Sequence, residues 1–233
     1  MNKVANKGNS RKEKALTSSK KRLFDRKKYK WAVKSRAGPN AKVDSIPLLA
    51  LLREVMKIVS NKREAKAILT DRKLKLSGKI RTDLKFPVGL FDVVEIEGME
   101  DKLRVELDSK GRFMVKKIDK KEANAKICKI TSKTMLKGGR FVLGTNDGKT
   151  FVLSKTKANT GDSLKISLND NKVQKEFTLE EGKNVYVMGG THAGQQGKIK
   201  SIKEASQNKP KLITIESEGK NIETLASNVI VIE

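Results

Sequence analysis

The sequence predicts a multi-domain α+β protein: a basic N-terminal arm, a small α+β module, a central β-barrel or sandwich, and a C-terminal all-β unit. Three observations carry this expectation. Lys and Arg crowd the N-terminal side, 14 against 2 Asp and Glu in residues 1–40 and 12 against 5 in residues 41–90. Apolar residues at helical spacing fall between residues 46 and 69. From residue 91 onward, short strand-like runs alternate with turn residues. The boundaries read from these shifts are 1–42, 43–95, 96–175 and 176–233.

Residues 1–42 have almost no apolar periodicity. Lys20, Lys21, Arg22, Arg26, Lys27, Lys28, Lys30, Lys34 and Arg36 interleave with Tyr29 and Trp31. Such a segment buries too little apolar surface to offset its ordering entropy, so it is expected to be disordered when free. Beside RNA it can order, with cations on phosphates and rings on unpaired bases. Trp31 reads either as a stacking platform or as a ring tucked against the next domain.

Residues 43–95 read as two helices followed by a hairpin. Pro47 sits at a first helical position after Asp44 and Ser45 as candidate caps, and Leu48, Leu51, Leu52, Val55 and Val59 share a face. Asn61 with Glu64 three residues on resembles a capping box, and Ala65, Ile68 and Leu69 form the apolar face of the helix it opens. Leu74, Leu76 and Ile80 are expected inward and Lys73, Lys75 and Lys79 outward, with a turn at Ser77-Gly78. Lys62, Arg63 and Lys66 on the helix, with Arg72, Arg81 and Lys85, extend the same positive face.

Residues 96–175 contain strand-like runs at 103–107, 113–118, 127–130, 141–143, 150–153 and 164–168. Asn146-Asp147-Gly148 between two of them is a hairpin signal. Cys128 lies in an apolar run and reads as a small core residue. This domain is expected to act as a spacer or docking body.

The last segment offers a strand at 184–188, then the loop Gly189-Gly190-Thr191-His192-Ala193-Gly194-Gln195-Gln196-Gly197-Lys198 and further strands. It is not a Walker A loop, because His192 holds the place of the first glycine and Ile199 replaces the magnesium-binding hydroxyl. Its glycines read as positions of positive φ and close backbone approach. Contact with phosphate through loop N–H groups, His192 and Lys198 stays open.

The formal net charge is +25 over 233 residues, and the first 90 residues carry +19 of it. An evenly basic chain would not divide this way, so the expected partner is a polyanion, held by phosphate contacts. No apolar run approaches the ~20 residues of a membrane span, and no N-terminal apolar core reads as a secretory signal. One Cys and one His exclude an internal disulfide and a Cys/His zinc cluster. We expect a cytoplasmic protein with no cofactor, no metal, no membrane contact and no small-molecule substrate.

Residues 61–96 resemble the RNA-binding module found in a small-subunit ribosomal protein, certain pseudouridine synthases and tyrosyl-tRNA synthetases. More specifically, Lys79-Ile80-Arg81-Thr82-Asp83 followed by Phe86-Pro87-Val88-Gly89-Leu90-Phe91-Asp92-Val93-Val94 resembles the archaeal and eukaryotic small-subunit ribosomal protein family S4e. Residues 185–202 are similar to the KOW motif of SH3-like barrels, and residues 108–113 and 126–129 fit the middle domain of the S4e family. The resemblance runs from about Trp31 to the C-terminus. It implies a structural constituent of the small (30S-type) ribosomal subunit, bound to 16S-type rRNA and neighbouring ribosomal proteins. By position, Lys62, Arg63, Lys66, Arg72, Lys73, Lys75, Lys79 and Arg81 match the RNA-facing surface of the family module. An ending at Glu233 directly after a strand favours an archaeal version.

Three rivals share parts of this pattern. An rRNA-modifying enzyme would need a catalytic domain that these β segments leave little room for, and one His with one Cys supplies little acid–base chemistry. A DNA-compacting protein shares the electrostatics but gives no reason for a KOW barrel. A KOW-containing transcription factor would co-purify with RNA polymerase.

Overall fold

Backbone pairing in the chain is dominated by antiparallel strands, with few helices. The computed structural model describes residues 12–232 except Glu100, Lys120, Lys121, Asn208 and Glu218. Residues 1–11 of the expected arm lie outside the described residues.

The described part of the arm is packed. Strands β1 (Glu13–Lys14) and β2 (Trp31–Ala32) pair antiparallel and close a loop around Arg22, which is only 3% exposed. A guanidinium has five N–H donors, and burial requires that they find acceptors. The Arg22 guanidinium donates to Glu13 Oε2 (3.3 Å), Ser18 Oγ (3.3 Å), Ser35 Oγ (3.0 Å), Ser45 O (3.1 Å) and Lys42 O (3.2 Å). The expectation of a segment disordered when free is therefore corrected for residues 12–42. Apolar area is scarce there, as expected, but a buried ion pair with backbone acceptors orders the chain instead.

Strand β3 (Ile46–Pro47) pairs with β6 (Pro87–Val88), and helix α1 (Leu48–Ala50) follows at once. It continues as a π-helical turn, Leu51–Val55, closed by Met56 N–H to Leu51 O at 2.9 Å. Pro47 is thus extended (φ −62°, ψ 140°) rather than a first helical residue, and no side chain caps the helix. The reason is tertiary. Leu48 and Leu49 donate their N–H groups to Phe86 O and Leu84 O, both at 2.9 Å, so the helix start is satisfied across the fold. Leu48, Leu49, Leu51 and Leu52 are buried, and Val59 beyond the helix joins the same core.

Helix α2 (Lys62–Thr70) forms as its sequence predicts. Glu64 Oε2 accepts from Ser60 N–H (2.7 Å) and Asn61 N–H (3.3 Å), and Ala65 and Leu69 face the core. Next come β4 (Leu74–Leu76) and β5 (Lys79–Ile80), joined by Ser77 (φ 46°) and Gly78 (φ 78°). Positive φ at both turn residues matches the twist of a two-residue hairpin. Ile80, expected inward, is 48% exposed because β5 is an uncovered edge strand. The sheet continues through β7 (Val93–Ile96), β8 (Lys102–Leu107) and β9 (Phe113–Ile118) in the order β5-β4-β7-β8-β9. The boundary expected at residue 95 falls inside this sheet, because β7 pairs on both sides.

The next sheet comprises β10 (Ala125–Met135), β11 (Phe141–Thr145), β12 (Thr150–Leu153), β13 (Ser163–Ser167) and β14 (Val173–Phe177), ordered β12-β11-β10-β13-β14. Asn146-Asp147-Gly148 makes the turn between β11 and β12, with Gly148 at φ 71°. Cys128 is buried with Ile130, Leu143, Leu164 and Ile166, and burial pushes its thiol pKa up.

Strands β15 (Asn184–Val187), β16 (Gln196–Lys203), β17 (Leu212–Ser217), β18 (Lys220–Leu225) and β19 (Val229–Val231) form the last sheet, ordered β18-β17-β16-β15-β19. Its core is Val185, Val187, Ile199, Ile213, Ile215, Val229 and Val231.

Three buried polar links lock the sheets together. Tyr186 Oη accepts from Leu107 N–H (2.8 Å) and donates to Leu107 O (3.1 Å), and its ring meets Phe91 edge-on at 5.2 Å. Burial pushes that phenol up to about 12. Lys129 Nζ donates to the carbonyls of Ala226 (2.5 Å), Ser227 (2.9 Å) and Val229 (2.7 Å), while burial holds its ammonium low, at about 8. Lys126 Nζ bridges Asp92 (2.9 Å) and Asp147 (3.2 Å), joining β10 to the preceding sheet.

Candidate nucleic-acid interface

The cations expected to bind phosphate divide into two groups once folded. Lys62, Arg63 and Lys66 are exposed along α2, and Arg72, Lys73, Lys75 and Lys79 are exposed along the β4–β5 hairpin that follows it. Their position follows from local periodicity. Burying Ala65 and Leu69 turns the helix cations outward, and burying Leu74 and Leu76 turns Lys75 outward. The face is not purely positive, since Lys73 pairs with Asp71 at 3.2 Å and Lys102 with Glu95 at 3.0 Å beside it. Lys85 is exposed, whereas Arg81 is half-buried with its guanidinium 4.3 Å from the centre of the Phe86 ring.

In the arm, Lys20, Lys27, Lys28 and Lys30 are exposed, and Lys34 is half-buried. Trp31 is 46% and Tyr29 65% exposed, with Lys30 Nζ 5.6 Å from the Trp31 ring and Lys28 Nζ 5.6 Å from the Tyr29 ring. Trp31 is therefore presented rather than tucked away. Three expected contacts are engaged internally. Lys21 pairs with Asp44 at 2.5 Å, Arg26 donates to the carbonyls of Ser18 and Ser19 (2.8 and 2.7 Å), and Arg36 pairs with Asp83 at 3.1 Å. Arg22 is a correction, because a buried guanidinium with all its acceptors in the protein presents no donor to RNA.

The glycine loop of the last sheet is a packing device. Gly190 and Gly194 have φ of 86° and 91°, as their chemistry allows. A Cβ on Gly194 would stand 2.2 Å from Asp108 O, and one on Gly197 would stand 2.3 Å from Glu216 O. Gly189 is buried against Asn228, His192 is half-buried and Lys198 is exposed. The loop thus seats the last sheet on the β8–β9 turn. Gly194→Ala is expected to destabilise the protein by about 1–3 kcal/mol, from strain at positive φ plus the clash, as read by thermal unfolding. A variant as stable as the parent would show that the docking contact is dispensable.

Among the described residues no group of three or more His, Cys, Asp or Glu side chains is placed to hold a metal ion. No helix of the described residues is long and apolar enough to cross a membrane.

Two family models match parts of the chain. The model of ribosomal family S4e matches residues 99–173, and the KOW motif matches residues 181–216. The small ribosomal subunit protein eS4 of Archaeoglobus fulgidus is 39% identical over 220 residues, covering 94% of this chain and 92% of that protein. The chain belongs to the S4e family. The eS4 protein of Methanothermobacter thermautotrophicus is similar to this S4e-family chain at 38% identity over 88% of the chain and 85% of its own length. A crystal structure of the 30S ribosomal protein S4e from Thermoplasma acidophilum superposes with a TM-score of 0.71 at 32% identity, covering 81% of this chain and 95% of that one. The S4e match includes residues 108–113 and 126–129, and the KOW match includes the glycine loop.

Sequence reasoning missed Lys126 and Lys129 as the side chains that join the sheets. For Lys126 the available signal was its parity on β10, whereas Lys129 falls on the opposite face with Ile127 and carried no such signal. Lys126 shares a strand face with Cys128 and Ile130, both core residues, so a charge on that face had to be buried.

Proposed function

We propose that this chain is a structural, non-catalytic constituent of the small ribosomal subunit, working in the cytoplasm. It binds 16S-type rRNA through the exposed cations of α2 and the β4–β5 hairpin, with the arm's Tyr29 and Trp31 beside them. Membership of the S4e family across nearly the whole chain carries this reading. The exposed lysines and arginines support it, because charges that the fold leaves at the surface are available to displace counterions from phosphates. Recognition of this kind reads RNA shape and backbone, with unpaired bases stacked on exposed rings.

The test is sucrose-gradient fractionation with crosslinking. The chain is expected to travel with small subunits and to crosslink to their rRNA, and migration with RNA polymerase or free in the light fractions would refute the reading. At the residue level, neutralising Lys73, Lys75 and Lys79 to Gln is expected to flatten the salt dependence of rRNA binding. The slope of log Kobs against log salt should fall by about 0.7–0.9 for each phosphate that no longer meets a cation. An unchanged slope would mean that the hairpin face does not touch RNA.

A further inference from the structure

The central sheet, whose sequence suggests a spacer, carries a second basic projection. Strand β10 runs 11 residues and pairs with β11 as a hairpin through Lys133↔Leu143, Thr134↔Val142 and Met135↔Phe141. Between Ala125 and Asn146 the chain has five Lys or Arg and no Asp or Glu. Lys126 and Lys129 are buried within the fold, which leaves Lys133, Lys137 and Arg140 around the tip. Lys133 Nζ lies 5.1 Å from the Phe141 ring and 3.3 Å from Asn159 Oδ1, and none of the three is ion-paired among the described residues.

An apolar row runs out along the same hairpin. Leu143 is fully buried, Phe141 one register step outward is half-buried, and its partner Met135 is 68% exposed. Leu136 beyond it is 42% exposed. The core-facing row of β10 and β11 therefore continues past the end of the core. Along the chain Met135 and Leu136 are followed by Lys137, the two glycines of the tip, Gly138 (φ 91°) and Gly139 (φ 72°), and Arg140.

We propose that the β10–β11 hairpin tip is a second RNA-binding element, with Lys133, Lys137 and Arg140 on phosphates and Met135 and Phe141 against an unstacked base or ribose face. The charge decides for RNA over a protein partner. Three cations around a tip whose segment holds no acid complement a phosphate backbone, whereas protein interface cores are depleted in charged residues, Lys among them. Exposed apolar and aromatic side chains within a basic surface are what unpaired bases stack upon. The proposal rests on the reading that the chain binds rRNA, and extends it to the central domain.

The test compares two full-length triple variants on one probe, an in vitro transcript of archaeal 16S rRNA. Lys133→Gln/Lys137→Gln/Arg140→Gln is expected to lower the salt slope by about 2–3 units, as three phosphates left without their cations would, with an unchanged thermal midpoint. If that slope stays fixed while Lys73→Gln/Lys75→Gln/Lys79→Gln flattens its own, the hairpin proposal falls and rRNA binding stands. If neither slope moves, the proposal falls and the β4–β5 face is removed from the rRNA-binding surface as well. A photo-crosslinking residue at position 135, in protein assembled into small subunits, gives a second readout. Crosslinks to rRNA support the proposal, and crosslinks to a ribosomal protein, or to neither, overturn it.

Discussion

Arg22→Ala is expected to destabilise the folded protein by about 3–5 kcal/mol, lowering the thermal midpoint by on the order of 10 °C. The magnitude follows from what the substitution leaves behind. Glu13 is 4% exposed and would lose its buried partner, and Ser18, Ser35 and the carbonyls of Lys42 and Ser45 would be deprived of a donor together. Removing one partner of a buried pair costs far more than the pair contributes net, because the remaining group stays desolvated. Lys42 also approaches Glu13 at 3.2 Å, but its side chain is 52% exposed and is a weak substitute. Arg22→Lys should recover only part of the loss, since an ammonium with three N–H donors cannot reach all the separate acceptors that the guanidinium fork meets. For the same reason, removal of residues 1–36 is expected to unfold the neighbouring module rather than merely weaken rRNA binding. The sequence alone suggests the opposite, a detachable tail. Urea denaturation of Arg22→Ala decides between them, and a loss below about 0.5 kcal/mol, the range of ordinary surface changes, would restore the detachable-tail picture.

Elements determined by neighbours along the chain were legible in the sequence. The Asn61/Glu64 start of α2, the Ser77-Gly78 turn and the Asn146-Asp147-Gly148 turn are each specified within a few residues, and all formed where expected. The cations of α2 and β4–β5 were legible for the same reason, because helical and strand periods alone set which side faces water. What escaped was settled at a distance. Pro47 is extended because Leu48 and Leu49 bond to residues 84 and 86, and the boundary at 95 fails because β7 has strands on both sides. Arg22 looked like any other cation in a basic run. Its distinguishing mark was Glu13, one of only two acids in the first 40 residues, whose significance appears only when β1 and β2 bring the two together.

Lys126→Met is expected to cost a similar 3–5 kcal/mol and, more tellingly, to invert the response of stability to acid. In the parent, burial pushes the Asp147 carboxyl up, but Lys126 with the Thr145 hydroxyl and the Cys128 thiol outweighs it and holds the group at about 2. An unfolded Asp titrates near pH 3.9. The folded form therefore binds fewer protons between these values, so its contribution is present above about pH 4 and is lost as the pH falls toward 2. One group shifted by this much contributes about 2–3 kcal/mol. With Lys126 removed, Asp92 and Asp147 remain buried without their common cation, and desolvation raises the Asp147 carboxyl above the unfolded range. The folded state then binds more protons than the unfolded one, so mild acid should stabilise the variant relative to neutral pH. Asp92→Asn/Lys126→Met/Asp147→Asn removes all three charges and should recover much of the lost stability while flattening the dependence on pH. Unfolding midpoints of the three proteins between pH 3 and 7 test the sign directly. If Lys126→Met still loses stability on acidification as steeply as the parent, then the carboxylates do not depend on Lys126, and the buried triad does not join the central sheet to its neighbour as the distances imply.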